Sequence, residues 1–486
     1  TEVSVKEIKS VEEVHASTVI GTLPVLPAGV EVTFTDESKE IVGTDWQIKA
    51  SDVAAAGILK VKSKILGSDM EAVANVDVKY AVATGDLEYT STGTVSKDKT
   101  VNGAGLSVRI DQGGKPTEYA AGLSMLGGSE AVYNVEGKGY EAFRAYVSLS
   151  FDNGQDAEGA VSFEVYVDDE KTARYRSGVM THATKNLALD VDIKGAKIVK
   201  LVTKTEDSSV DNSKNIGNWC DTKFVSSNVA VKSAKLKEKD FYYAEKGAQP
   251  SLPQTAEVQV DDTHTGAFRI AWSEIDTSKA DVVDVEGTVL GIADPENHKV
   301  KAKVIVDFNN VVKVPALMNK IGKWEVKEAF DYVETTGTKT NIKDIEDITA
   351  KSSVIYKWTN NMLIENCHNY GFDYGVYPGT NSANPEYLIV RAPAIKGFVL
   401  RGTGSTDGNA NKNFTFYTSA DGENWKEFKD YTKTTDTSVS GSWPSRLYTA
   451  TQMPDDTNYI KIAYPTGNTW QFNMNKLQLT GGEVIP

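Results

Sequence analysis

Two loops rich in aromatic and planar polar side chains are the segments best equipped for binding chemistry. The segment "DTSVSGSWPSRLYT" places Trp443 and Arg446 among serine, glycine and proline. The segment "NCHNYGFDYGVYPGTNSANPEY" groups His368, Tyr374 and Tyr377 with asparagine and glycine. Aromatic faces stack on ring-shaped ligands, and a guanidinium donates parallel hydrogen bonds to their polar edges. These residue types predict a contact surface for a sugar or for another protein, because both ligands use them.

Groups that could carry out catalysis show no recognisable arrangement. Hydrolysis of a glycosidic bond needs two carboxylates about 5–10 Å apart, and the acidic residues here form no recognisable constellation at strand ends. The five histidines are scattered singly, without metal-ligand spacing, and the Gly-x-Ser-x-Gly nucleophile motif is absent. We therefore predict a binding protein without a cofactor, and leave a structural calcium ion open.

Charge and composition exclude two classes of partner. The chain of 486 residues has 67 acidic against 52 basic residues and a formal net charge of -15 at pH 7. Nucleic acid binding needs basic patches, so a nucleic acid partner is not expected. An acidic surface suits a neutral sugar, although it is equally typical of an ordinary solvated surface. No run approaches the ~18 apolar residues of a membrane span.

Short alternating segments predict that β-sheets carry these loops. Between Val161 and Val167, the residues Ser162, Glu164 and Tyr166 alternate with apolar ones, which is the period of a half-buried strand. Similar runs recur between clusters of glycine, asparagine and aspartate, and helix-period segments are scarce. This sequence pattern predicts an all-β chain of sandwich type, and the chain length predicts several domains.

A duplicated segment sets the predicted architecture. "PVLP" at 24–27 precedes Trp46, and "PSLP" at 250–253 precedes Trp272 at the same interval. A strand ending in glycine and a final alternating strand follow each tryptophan. The pattern resembles bacterial Ig-like modules, whose expected role is to space other domains. We predict that both tryptophans are core residues of these modules rather than stacking surfaces for a ligand.

A third set of ordered motifs lies between the two copies. It comprises Gly122-Leu123, Ser129-Glu130, the runs 143–147 and 161–166, Ser177-Gly178-Val179, 191–196 and Trp219-Cys220-Asp221. This order resembles the NPCBM family of carbohydrate-binding modules, which are attached to bacterial glycoside hydrolases. The resemblance implies a jelly-roll sandwich that binds sugars, outside the cell or on the surface of a bacterium.

The same resemblance suggests which side chains would contact the sugar. They are Tyr119, Glu130, Asn215, Asn218, Trp219 and Asp221. Family members often carry His-Ala after the Gly-Leu motif and Asp-His before the tryptophan, where this chain has Met125-Leu126 and Ile216-Gly217. The loss of these polar side chains predicts weaker or altered specificity. Trp219 also fits a purely structural role in the core.

The C-terminal quarter carries a hairpin signature. In "FTFYTSADGENW" (414–425) an alternating strand leads into Asp421-Gly422 and ends on Trp425. The hairpin and the closing strands near Tyr459 and Trp470 resemble discoidin (coagulation-factor C-type) domains, a jelly-roll family with many sugar binders. Five of the eight tryptophans lie in this quarter, so we expect one or two to be exposed, with Trp443 as the best candidate.

These observations predict four tandem β-sandwiches. They are an Ig-like module at 1–80, an NPCBM-like jelly roll at 81–228, an Ig-like module at 229–315 and a discoidin-like jelly roll at 316–486. The predicted function is non-catalytic binding of glycans, galactose-containing host or mucin glycans among them. The chain would anchor a parent glycosidase or protease in the same polypeptide. The alternative is a structural spacer or protein-binding stalk with decayed sugar sites.

Overall fold

The chain is predominantly β-strand, which confirms the prediction of an all-β protein with several sandwiches. The structure is a computed structural model that describes residues 6–109, 116–152, 154, 156, 158–236, 239, 241–330, 340–345, 352–367, 372–379, 384–439, 443–466 and 471–482. His368 and Trp470, singled out above, lie outside these ranges. The chain divides into one compact unit of Thr1–Lys235, Gln254–Ala271 and Thr288–Val300, and a second of Leu236–Pro253, Trp272–Gly287 and Lys301–Pro486.

The first copy of the duplicated segment forms two small sheets. Its strands are β1 (Ile8–Val11), β2 (Val14–Val19), β3 (Gly29–Phe34), β4 (Lys39–Gly43), β5 (Gly57–Lys64) and β6 (Glu71–Ala83). Strands β1, β3 and β4 form an antiparallel sheet, while β2 pairs parallel and β5 antiparallel with β6. Alternate residues of β6 are buried, as the period of a half-buried strand requires. Trp46 is half-buried and packs against the cores of both sheets.

Strand β6 belongs to two segments at once. Its N-terminal part pairs with β5, while its last residues pair with a strand of the central segment, with Val82 opposite Phe224. The predicted division after residue 80 therefore falls inside a continuous strand. Ladder hydrogen bonds along one strand join the first copy to the central segment.

The central segment is a two-sheet sandwich. Its strands are β7 (Thr90–Thr92), β8 (Val95–Lys97), β9 (Leu106–Val108), β10 (Thr117–Tyr119), β11 (Gly122–Leu126), β12 (Ser129–Asn134), β13 (Ala142–Leu149), β14 (Val161–Val167), β15 (Tyr175–Arg176), β16 (Leu187–Asp192), β17 (Ile198–Thr205) and β18 (Ile216–Ser226). One sheet has the order β16-β13-β18-β11-β8, and the other β15-β14-β17-β12-β7. Fully buried aromatic rings fill the core, among them Phe143, Phe163, Trp219 and Phe224.

The second copy of the duplicated segment contributes strands to both units. They are β19 (Ser233–Lys235), β20 (Tyr242–Ala244), β21 (Thr255–Gln259), β22 (Thr265–Trp272), β23 (Asp281–Val289) and β24 (Val300–Val306). In the first unit β21 pairs with β19 and β22, and Phe268 stacks on Tyr80 with ring centroids 5.3 Å apart. In the second unit β20 pairs in parallel with β24. There, Phe241 and Ile305 join the same hydrophobic core as the C-terminal residues.

The C-terminal segment is built on two antiparallel sheets. Its elements are α1 (Phe308–Val311), α2 (Pro315–Ile321), β25 (Trp324–Val326), β26 (Thr340–Asn341), β27 (Ile355–Trp358), β28 (Met362–Glu365), β29 (Gly375–Pro378), β30 (Tyr387–Arg391), β31 (Ile395–Gly404), α3 (Asp407–Ala410), β32 (Thr415–Ser419), β33 (Lys426–Phe428), β34 (Thr432–Thr435), β35 (Ser445–Ala450), β36 (Tyr459–Ala463) and β37 (Phe472–Gly481). The larger sheet has the order β26-β28-β29-β37-β31-β35-β34, with β25 on β37, and the smaller has the order β27-β30-β36-β32-β33. Short 3₁₀ turns in the chain lie at Ala50–Val53, Thr84–Asp86, Asn212–Lys214, Pro295–His298 and Ile342–Asp344.

The hairpin predicted around Asp421-Gly422 is present. Strands β32 and β33 pair with Phe416 opposite Phe428, and the turn between them holds the Asp-Gly pair. Gly422 has φ of 78°, a left-handed conformation that glycine adopts without strain. Asp421 accepts hydrogen bonds from the backbone N–H groups of Glu423 and Asn424, at 2.9 and 2.8 Å. The discoidin-like identity of this segment stays a prediction.

Candidate functional site

A stacked pair of tyrosines lies on the outer face of the sheet that contains β13 and β18. Strand register places Tyr146 directly opposite Cys220. The β9–β10 hairpin ends at Tyr119, whose ring packs over Leu106, Val108 and Cys220. The rings of Tyr119 and Tyr146 stack with centroids 5.5 Å apart and an interplanar angle of 25°. The two rings form one aromatic surface that is open to solvent on the Tyr146 side.

The exposure of Tyr146 sets it apart from the other aromatic side chains. It is 37% exposed, and among the described residues it is the one aromatic in the set of large exposed hydrophobic side chains. Tyr119 is half-buried. Its partial burial, together with nearby Tyr146, Cys220 and Asp221, raises the pKa of its hydroxyl. The Tyr119 phenol therefore remains neutral, and able to donate, throughout the physiological pH range.

A β-bulge brings Asp221 to the edge of this aromatic surface. The pairing of β13 with β18 shifts register between Arg144, opposite Lys223, and Tyr146, opposite Cys220. Asp221 is one of the two β18 residues that lie between these paired positions. It adopts a φ of 51°, in the left-handed region that aspartate tolerates better than most residues. Bulges of this kind redirect a side chain out of the regular ladder. The carboxylate of Asp221 is 41% exposed and pairs with Lys223 at 2.7 Å.

The remaining predicted residues of the central segment lie elsewhere. Glu130 is on β12 of the opposite sheet, 36% exposed, with its carboxylate 3.6 Å from the Lys200 ammonium. Asn215, Asn218 and Trp219 are fully buried. Of the six predicted contacts, the structure therefore brings Tyr119 and Asp221 together and separates Glu130 from them.

The buried members of the set are bonded to protein groups. The Asn215 side chain accepts from the Ala160 backbone N–H at 2.9 Å and donates to a backbone carbonyl. The Asn218 side chain accepts from the Ser124 hydroxyl at 2.8 Å. The indole of Trp219 donates to the Thr203 hydroxyl at 2.9 Å. Burial selects the core role among the two that the sequence allowed for Trp219, because a ring without exposed surface cannot stack on a ligand here.

In the C-terminal segment, Trp443 is half-buried, and its role as a contact stays a prediction. The guanidinium of neighbouring Arg446 donates to Asp407 and Asn411, each at 3.1 Å, and its side chain is only 13% exposed. Tyr374 and Tyr377 are both 2% exposed. Both tyrosines belong to the hydrophobic core of the C-terminal segment: Tyr377 lies on β29, and Tyr374 directly precedes that strand.

Sequence reasoning missed Tyr146. Its only signal is its place in β13, where Phe143, Ala145 and Val147 are buried and Tyr146 occupies an outward position. A tyrosine at an outward strand position is common in sandwiches, so the pattern alone does not single it out. Its partner Tyr119 comes from a separate hairpin, and only the fold places the two rings in contact.

The described part of the chain contains neither a metal-ligand cluster nor a membrane-spanning helix. Within those residues, no cluster of three or more histidine, cysteine, aspartate or glutamate side chains is arranged to hold a metal ion. Nor does any helix in the described ranges combine the length and apolar character needed to cross a membrane.

Comparisons with solved structures return sugar-binding modules at low overall similarity. The CBM51-2 and INT domains of Clostridium perfringens ZmpB, solved with GlcNAc, are 24% identical with a TM-score of 0.30, and the match covers 46% of this chain and 48% of that one. This chain thus spans about half the length of that structure. The CBM51 of Clostridium perfringens GH95, solved with methyl-galactose, is 29% identical with a TM-score of 0.26, covering 30% of this chain and 99% of that one. Tandem CBM51 modules of a family 98 glycoside hydrolase from Streptococcus pneumoniae are 14% identical with a TM-score of 0.27, covering 83% and 98%.

Family comparisons are more specific. No curated protein matches the chain. Residues 77–225 match the NPCBM/NEW2 domain, and residues 11–68 and 237–292 each match the bacterial Ig-like domain (group 4). Both domain types are non-catalytic ancillary modules. The first match begins inside β6, in agreement with the strand that the two segments share. The chain therefore carries an NPCBM/NEW2 domain of the carbohydrate-binding type between two bacterial Ig-like domains.

Proposed function

We propose that this chain is a non-catalytic glycan-binding region that holds a parent glycosidase or protease on its substrate. The NPCBM/NEW2 match over 77–225 supports sugar binding. The observation that carries the proposal is the exposed stack of Tyr119 on Tyr146 beside the carboxylate of Asp221. Such a role belongs outside the cell or on the surface of a bacterium.

The chemistry of this surface fits a neutral sugar. The C–H groups on one face of a pyranose ring pack on aromatic faces, while its hydroxyl groups need hydrogen-bonding partners at the edge. Asp221 offers acceptors and Lys223 offers donors, already held 2.7 Å apart by their ion pair. An exposed carboxylate of this kind can accept two hydrogen bonds from neighbouring hydroxyl groups.

The ligand we propose is a neutral glycan, with galactose-containing host or mucin glycans as the first candidates. Met125 and Ile216 stand where family members often carry polar side chains, and they lie on the paired strands β11 and β18. Apolar side chains at these positions cannot read hydroxyl orientation, so we expect weak affinity. Weak modules still hold an enzyme on a surface, because tethering raises the effective concentration of every linked site.

The test is glycan-array screening followed by calorimetry on the whole chain. Tyr146→Ala removes the exposed ring, whereas Tyr146→Phe keeps the stacking face and serves as the matched control. We expect the alanine variant to lose the glycan signal and the phenylalanine variant to keep most of it. A second control, Tyr175→Ala, alters a half-buried tyrosine of the opposite sheet. Equal binding by parent and Tyr146→Ala would place the sugar elsewhere, with the loop at Trp443 as the next proposed contact.

A second candidate function is a rigid spacer or protein-binding stalk. It is favoured by β6, which pairs with both β5 and β18 and so connects the first Ig-like domain to the NPCBM domain through one strand. A stalk needs such rigidity, while glycan binding does not. An array without any signal for the parent chain would support this second role. The division into four sandwiches, the last of them discoidin-like, remains the proposed organisation.

A further inference from the structure

The outer face of the smaller C-terminal sheet is covered over part of its area. The guanidinium carbon of Arg391, on β30, lies 4.1 Å from the centroid of the Tyr243 ring and 5.4 Å from that of Phe308. Phe308 also meets Tyr459 of β36 edge-on, with centroids 5.7 Å apart. Tyr243 and Phe308, which come before these strands in the sequence, thus cover the part of the face that carries Arg391 and Tyr459.

The next rows of the same face carry a cation surrounded by three aromatic rings. The Nζ of Lys461 lies 4.5 Å from the ring centroid of Tyr417, 4.6 Å from that of Trp425 and 5.8 Å from that of Tyr387. Lys461 is directly opposite Tyr417 in the ladder, and Trp425 reaches it from the β32–β33 turn. All four side chains are half-buried, so each retains exposed surface.

Lys461 has no anionic partner in the part of the chain that the structure describes: its contacts there are the three rings. The nearest acidic residue in the same ladder row, Glu427 opposite Tyr417, pairs instead with Lys429 at 3.2 Å. Partial burial removes part of the hydration of the Lys461 ammonium and lowers its pKa. An anion on this ammonium would compensate for that loss.

We propose that Lys461, Tyr417 and Trp425 form a second glycan site that takes a single anionic sugar unit. The ring of that sugar would pack on the aromatic side chains, and its carboxylate or sulfate would pair with the Lys461 ammonium. The net charge of -15 repels polyanions, so the ligand that fits carries one negative charge among neutral units. This site goes beyond the proposed function, since it lies in another segment and recognises charge.

The test compares three related probes on the whole chain by calorimetry: lactose, 3′-sialyllactose and 3′-sulfolactose. Lys461→Met keeps the aliphatic stem against the rings and removes the charge. We expect one or both anionic probes to bind more tightly than lactose, and Lys461→Met to weaken that binding by about tenfold, the effect of one well-placed ion pair. Trp425→Ala should weaken it similarly, whereas Trp425→Phe should retain most of it. Lys429→Met removes an exposed lysine from the same hairpin and is the matched control.

The outcomes separate the possibilities. Binding of 3′-sialyllactose alone assigns the site to a carboxylate, and binding of 3′-sulfolactose alone assigns it to a sulfate. The proposal is overturned if lactose binds as tightly as both anionic probes, if no anionic probe binds, or if Lys461→Met and Lys429→Met behave alike while both variants keep the parental melting temperature. Tyr146→Ala should leave anionic binding unchanged, so failure here and failure of the NPCBM site are distinguishable.

Discussion

The indole N–H of Trp272 donates a hydrogen bond to the carbonyl oxygen of Pro253 at 2.8 Å, across 19 residues of sequence. Trp46 makes the same bond to Pro27, also at 2.8 Å and across 19 residues. The equal interval in the two copies thus has a physical cause, because each indole is hydrogen-bonded to the proline segment of its own domain. Both tryptophans are half-buried, so they seal the edge of a core rather than fill its centre.

Loss of this bond should be measurable separately from loss of the ring. Trp272→Phe keeps most of the packing and removes the N–H donor, so we expect a cost of about 1 kcal/mol. Trp272→Ala also removes the ring and should cost clearly more. Scanning calorimetry of the whole chain resolves the affected transition, with Val25→Ala as control because Val25 is 94% exposed. Equal melting of parent and phenylalanine variant would show that the bond contributes nothing.

Trp219 should act on stability rather than directly on a ligand. Its ring is fully buried, meets Phe163 edge-on at 5.0 Å and donates to Thr203. Trp219→Ala should therefore destabilise the NPCBM domain by about 3–5 kcal/mol, the usual cost of a deleted core aromatic. Denaturant unfolding followed by circular dichroism measures it. An alanine variant that melts like the parent and yet loses glycan binding would restore Trp219 as a direct contact.

The β32–β33 turn should depend on the carboxylate of Asp421. Hydrogen bonds from Asn424, through its backbone and side chain, and from Glu423 hold the pKa of Asp421 well below its usual range. A depressed folded pKa means that the stabilisation is present above the unfolded value, about 3.9, and is lost as pH falls through the folded value. Asp421→Ala should lower the melting temperature at pH 7, whereas Glu423→Ala, in the same turn, should not. The difference between parent and Asp421→Ala should shrink in strong acid.

Glu328 should show the opposite dependence on pH. Burial raises the pKa of its carboxyl, even though the Tyr374 hydroxyl and the Leu477 backbone N–H donate to it. A raised folded pKa means that its contribution is complete below the unfolded value, about 4.3, and is lost as pH rises through the folded value. Glu328→Gln imitates the neutral form. The melting temperature of this variant should therefore rise relative to that of the parent as pH increases from 4 to 7. A constant difference between the two melting temperatures would contradict the raised pKa of Glu328.

The local sequence pattern was sufficient to predict several strands, one turn and the repeat. Alternation at Val161–Val167 and along Glu71–Ala83 predicts strands because successive side chains point to opposite faces of a sheet. The Asp421-Gly422 turn is likewise a local signal, since glycine accepts a positive φ. The matched "PVLP" and "PSLP" segments with their tryptophans identified the repeat without any knowledge of the bond between them.

Tertiary structure alone decided which aromatic side chains face solvent and which of them meet. Tyr374 and Trp219 are aromatic residues near polar ones in sequence, as Tyr119 is, yet the first two are core residues and only Tyr119 reaches the surface stack. The cluster of Lys461 and its three surrounding rings joins residues from three strands and a turn. The bulge at Asp221 depends on the register of its strand against a strand far away in sequence. The sequence by itself determined strands, turns and the repeat, because these depend on neighbours along the chain. The binding surfaces required the fold, because burial and side-chain contacts are set by pairings between distant strands.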